Sequence, residues 1–318
     1  MILVTGAAGF IGRHLVERLL EAGHPVRALL PPRKSRRLPA WAQHPNVEIV
    51  TGRLSDDELM YRALTGVHVV YHLESAQWWG RKRALERVEM VGLRHLAAAA
   101  RAARVGRIIV VSHLGASPSS AYPLLSIKGQ VEDAVKSSGL AYTVIRTGLV
   151  FGPDDAFINH IAMMLSMNPL FFLMPGRGEI VLHPIFIDDL ISALIATLER
   201  VDTVDNVIEI GGAEYTTLYD LIRTIMRVTG MRRVIIPTPP YMLRLSSRIY
   251  SRVLRRSLVT PQWLDLLATN HTARLATLYE VFGVRARRLE DTLVKYMPKK
   301  RYRLRALAFA VRARPREA

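Results

Sequence analysis

The stretch SAYPLLSIKGQVED, residues 120–133, brings a tyrosine, serines and a lysine into one short segment. A phenol beside an ammonium is a proton-transfer pair: the cation favours the phenolate, so the tyrosine can act as general acid or base near neutrality. On a helix such a pair works best four residues apart, where both side chains share a face. Here Leu124 stands four before Lys128, and Tyr122 stands six before it, about 120° around an ideal helix. Pro123 suits a first helical position, which predicts Tyr122 at or before the cap with an extended backbone. Ser112 and His113 end a predicted strand, where a hydroxyl could orient a substrate and an imidazole could exchange a proton near pH 7. His113 reads equally as a strand-end histidine satisfied within the fold. His68 and His72 lie four apart on a predicted strand, hence about 13 Å apart, and no shared metal site is expected.

The elements that must position these groups are legible in the first half of the chain. Runs dense in Val and Ile at 1–6, 25–30, 47–52, 67–73, 107–112 and 141–147 read as strands buried on both faces, separated by helical stretches such as 12–23 and 91–105. This alternation predicts an α/β, Rossmann-like fold: a doubly wound parallel sheet over 1–150, followed by a smaller, mostly helical lobe over 151–298. The segment 299–318 reads as a separate basic tail.

Between the first strand and first helix, TGAAGFIG sets Gly6, Gly9 and Gly12 three residues apart. Gly6 allows a tight turn, Gly9 lets backbone approach a pyrophosphate, and Gly12 allows the helix to pack closely on its strand. Phe10 and Ile11 lie inside the loop. The second strand then runs into ALLPPRKSRRL, which lacks the acidic residue that meets a ribose 2′-hydroxyl and offers Arg33, Lys34, Arg36 and Arg37 instead. Guanidinium groups there match a 2′-phosphate, so NADP(H) is favoured over NAD(H), although a solvated basic loop has the same composition.

Composition narrows the classes further. Half of the 318 residues are hydrophobic and mean hydropathy is +0.14, as expected for a globular chain. The run IAMMLSMNPLFFLM at 161–174 is too short to span a bilayer and is broken by Asn168-Pro169; its methionines and phenylalanines would line an apolar pocket or pack the second lobe. The first residues carry no basic leader, so a cytoplasmic location is expected. Zero cysteines exclude disulfides and thiolate chemistry. The net charge of +17, with 37 of 44 basic residues arginine, favours an anionic partner. Nucleic acid is not expected, because no recognised motif or basic-aromatic interleaving is present.

Taken in order, TGAAGFIG, VVS at 110–112, Lys128 with Glu132, IRTGLVFGPDD (145–155), HPIFIDDL (183–190) and IEIGG (208–212) resemble the atypical, extended short-chain dehydrogenase/reductase superfamily. Over residues 1–297 the chain is similar to the NmrA-like branch and to the nucleotide-binding accessory subunit of respiratory complex I. The resemblance implies that Lys128 holds a nicotinamide ribose. It also implies that Arg53, Leu54 and Leu73, at the ends of the third and fourth strands, border the cofactor. Departures cluster in the same region: Arg53 replaces an Asp, Glu74 follows the fourth strand, Glu89 replaces an Asn, and Thr147 replaces a Pro.

These departures and the missing Tyr-x-x-x-Lys spacing predict an NAD(P)-binding protein with low or no turnover, acting as an accessory subunit or redox sensor. The alternative is an NADPH-dependent reductase or epimerase acting on an apolar substrate through Lys128 with Tyr122 or His113. The tail KKRYRLRALAFAVRARPREA carries eight basic residues and one acid, and as a helix would put Leu304, Leu307, Ala308 and Val311 on one face. It reads as an arm for an acidic protein or an anionic membrane surface, which would make the protein peripheral at a membrane, or as a solvated tail.

Overall fold

The computed structural model describes residues 1–32, 38–75, 82–253, 258–298 and 300–311. Six parallel strands follow the predicted runs: β1 (Ile2–Thr5), β2 (Val26–Leu30), β3 (Val47–Thr51), β4 (Val69–His72), β5 (Arg107–His113) and β6 (Tyr142–Thr147). The remaining strands are β7 (Val150–Phe151), β8 (Phe171–Pro175), β9 (Val181–Leu182), β10 (Ile185–Phe186), β11 (Asn206–Ile210), β12 (Thr216–Thr217) and β13 (Val234–Thr238). The main sheet runs β3-β2-β1-β4-β5-β6-β11, all parallel, so its last strand comes from the far side of a long excursion into the second half of the chain.

The inner strands of the sheet are buried on both faces, which is why they lack alternation, while the edge strand β3 is only half-buried. Val4, Ala28, Tyr71, Ile109 and Ile145 pack on one side, and Leu3, Leu29, Val70, Ile108 and Val110 on the other. The first side is covered by α1 (Phe10–Glu21) and by α7 (Ile187–Ala196), from the second half of the chain. The second side is covered by α2 (Asp57–Leu64), α4 (Gly92–Ala102) and α5 (Pro123–Lys136). A short α3 (Lys82–Glu86) leads into α4 through a π-helical turn at Arg87–Val91. Local chemistry sets the helix starts: Asp56 caps α2 by accepting from Leu59 N, and Pro123 opens α5 with Tyr122 extended at the N-cap.

The second lobe holds α6 (Phe157–Met167), α8 (Leu218–Thr229), α9 (Pro240–Val253), α10 (Pro261–Asp265), α11 (Thr277–Phe282) and α12 (Leu289–Tyr296). Asn168-Pro169 divides the apolar run at 161–174 into α6 and β8; Met163, Phe172 and Met174 pack the core, while Met167 and Phe171 are exposed.

Part of the segment read as a tail is a helix, α13 (Tyr302–Val311), seated on α6. Its packed face is Tyr302 and Ala306, with the ring of Phe309 against His160; Leu304 and Leu307 face solvent between arginines. Lys300 donates to Pro153 O, and Arg305 pairs with Asp154 at 3.5 Å. Residues 299 and 312–318 lie outside the described residues. Among the described residues no helix is long and apolar enough to cross a membrane.

Candidate functional site

A parallel sheet offers a ligand the crevice beyond its strand carboxyl ends, where the strand order reverses. Here that point lies between β1 and β4, and a cavity of about 320 Å³ opens above it. The glycine loop forms one wall through Gly9, Phe10, Ile11 and Gly12. Gly6 is left-handed at φ +66°, and a Cβ there would lie 2.7 Å from the backbone of Leu73 and Glu74. A Cβ on Gly12 would overlap Gly6 O. Both positions therefore need glycine for the turn and for close helix packing.

Lys128, Ser112 and His113 line the opposite wall. The Lys128 ammonium donates to Glu89 at 2.8 Å, and both residues are buried, at 6% and 2% exposure. The π-helical turn carries Glu89, which also accepts from Ser75 Oγ. Ser112 donates its proton to Glu132, whose carboxylate is gripped by Arg146 through Nε and a terminal nitrogen at 2.7–3.1 Å. Its hydroxyl is therefore left with acceptor capacity only.

Two histidines complete the floor. His113 Nδ1 lies 2.8 Å from Leu114 O, so that nitrogen carries the proton and Nε2 keeps its lone pair. Burial holds the ring down to about 4, and it is neutral at pH 7. His72 contacts Thr5 Oγ1 at 2.8 Å through Nδ1, while its Nε2 is buried without a protein partner. Burial also holds His72 down to about 4. A buried imidazole nitrogen beside the glycine loop with no partner of its own is suited to a hydrogen bond from a ligand.

Other predicted site residues lie apart. Tyr122 is not among the described residues lining this cavity. Its ring packs under Arg244, 5.7 Å from guanidinium carbon to ring centroid, in a second cavity bounded by the turn after β8. Leu73 borders the site, Leu54 is buried against Gly92 in the core, and Arg53 is exposed at the end of β3. Arg33 falls among residues 33–37, outside the described residues. The sequence reading did not single out His72 as a ligand contact or Asp154, which lines the cavity and pairs with Arg13 at 3.1 Å. The position of His72 at a strand end beside the switch point was the available signal.

The glycine cradle, the start of α1 and the buried, unpartnered His72 nitrogen fit a dinucleotide. Residues 6–156 match a family model described as NAD(P)H-binding. That match spans a little under half of the chain, which over those residues is similar to NAD(P)H-binding proteins. The chain is 30% identical to a ceramide reductase of Caulobacter vibrioides, over 62% of this chain and 60% of that one. It is 28% identical to NADH dehydrogenase [ubiquinone] 1 alpha subcomplex subunit 9, mitochondrial, of Mus musculus, over 74% of this chain and 62% of that one. The chain thus spans under two thirds of the length of either relative. A nucleoside-diphosphate-sugar epimerase of Staphylococcus aureus shares the fold with a TM-score of 0.75 at 15% identity, covering 92% of this chain and 99% of that one.

Proposed function

We propose that this NAD(P)-binding protein has little or no turnover and works as an accessory subunit or a redox sensor. The contact between Lys128 and Glu89 carries the reading. A lysine that assists hydride chemistry must direct its charge at a phenol and a ribose, and here a buried carboxylate holds it. The proton of Ser112 is committed to Glu132, and the phenol of Tyr122 lies in a different cavity. The similarity to a complex I subunit supports an accessory role. Arg33 and its basic neighbours support a preference for NADP(H). Residues 299–318, with Leu304 and Leu307 exposed between arginines, would dock an acidic protein or an anionic membrane surface, which keeps the protein cytoplasmic and peripheral.

Calorimetric titration with NADPH and NADH tests the cofactor. NADPH should bind more tightly, and Arg33→Ala should remove about 1–2 kcal/mol of that preference. Absence of micromolar binding by either dinucleotide would sink the reading. So would steady NADPH oxidation with a panel of apolar ketones and aldehydes, which would favour the reductase or epimerase reading. One observation supports that second reading: His113 shares the cavity of Lys128 and keeps its Nε2 lone pair. In that case His113→Gln abolishes turnover.

A further inference from the structure

The strands β8 and β13 form an isolated parallel pair, in register Phe171 with Val234 and Leu173 with Ile236. The alternate residues Phe172 and Met174 turn inward and are buried, at 5% and 1% exposure. The outward row is apolar: Val234 is 67% exposed, and Phe171, Leu173 and Ile236 stand beside it in solvent. Leu170, just before β8, is 71% exposed. Beyond Pro239 the chain enters α9, whose first turns expose Tyr241, Met242 and Leu245. Large apolar side chains exposed together on one strand pair and the helix that follows mark an interaction surface.

Charge says what covers it. Neither 156–178 nor 231–264 contains an Asp or Glu, and together they hold eight arginines. Arg177 and Arg232, at the ends of the two strands, are exposed. The acids that border these stretches are Asp155, Glu179 and Asp265, the last paired with Arg244 at 3.0 Å. We propose that the outward face of β8, β13 and early α9 docks on an anionic lipid bilayer, with its apolar row at the acyl boundary and its arginines among the headgroups. Large apolar and aromatic side chains rimmed by arginine suit that interface. A second copy suits it less, because stacking the face on itself would bring arginines together. The proposal stands independently of the nucleotide cleft and of the docking assigned to 299–318.

Flotation of the full chain with vesicles tests it. The protein should float with phosphatidylglycerol/phosphatidylcholine vesicles and stay behind with phosphatidylcholine alone. The pair Leu173→Glu/Ile236→Glu, on exposed positions, should lower partitioning about tenfold or more, and Leu173→Asn/Ile236→Asn should lower it less. Arg232→Gln should weaken binding about fivefold, as expected for one arginine at a charged surface. Leu304→Glu/Leu307→Glu, in the arm at 299–318, should lower partitioning less than the strand pair, and a larger loss than the strand pair would assign the binding to that arm and overturn the proposal. The proposal is overturned if the wild type ignores anionic vesicles, or if the strand variants bind like wild type. It is equally overturned if sedimentation shows a dimer that the strand variants split while vesicles bind neither form.

Discussion

The ammonium of Lys128 lies 2.8 Å from the carboxylate of Glu89, and both groups are buried beside the cavity that the glycine loop opens. Burying two charges costs solvation that their mutual contact, with the Ser75 hydroxyl on Glu89, offsets, so each residue is tolerated largely because the other is there. Either single neutralisation, Lys128→Met or Glu89→Gln, should therefore destabilise the fold by about 3 kcal/mol. The double variant should lose much less than the sum of the two. Urea denaturation of the four proteins checks this, and additive losses would show that the pair is not coupled.

His72 and His113 make stability pH-dependent. Burial holds both at about 4 in the folded chain, against roughly 6.5 when unfolded. Between those values the unfolded chain binds protons that the folded chain refuses. Stability is thus full above about pH 6.5 and falls toward pH 4, by up to about 1.4 kcal/mol per pH unit for each ring. Glu89 opposes the depression at His72 while Lys128 adds to it; His271 and Lys128 add to it at His113. Denaturation midpoints at pH 7.5 and 5.5 should converge in His72→Asn/His113→Asn. An unchanged slope would assign the effect to other groups.

Gly12→Ala places a methyl group against Gly6 O and forces α1 away from its strand. It should cost about 2 kcal/mol of stability and weaken dinucleotide binding about tenfold. Calorimetry alongside urea denaturation separates the two effects. Binding equal to wild type would mean that the loop does not contact the ligand.

Tyr122→Phe should leave dinucleotide affinity and any residual NADPH oxidation within about twofold of wild type, as expected for a hydroxyl outside the site. The aromatic packing against Arg244 survives in that variant. A loss as large as that of Lys128→Met would show that the phenol reaches the cleft.

Much of this arrangement can be read from the residues because local rules and burial agree. Val-rich runs buried on both faces announced the strands from β1 to β6, and Pro123 announced the start of α5 with Tyr122 as its cap. What local pattern could not supply was where a capping side chain points. The ring of Tyr122 is held by Arg244, which lies far along the chain and pairs in turn with Asp265 at 3.0 Å. The face of α13 was hidden for a similar reason. The leucine stripe reads as an outward docking face, and Leu304 and Leu307 do face solvent, but no local pattern names Tyr302 and Ala306 as the residues that fill the α6 surface. Glu89 stood out as an anomaly by type, but its contact with Lys128 depends on the π-helical turn, for which no sequence signal was recognised.

The strand order has a bearing on how the chain is made. β6 finds its neighbour β11 only after residues 148–205 have been added, and Tyr142 N is met by Asp205. At ordinary translation rates that interval lasts roughly 3–12 s. Throughout it, a nascent half-sheet presents a Val- and Ile-bearing edge with unmet hydrogen bonds, open to pairing with any other extended chain. A ribosome stalled in that window, or a fragment expressed only through residue 150, should depend on a chaperone to stay soluble.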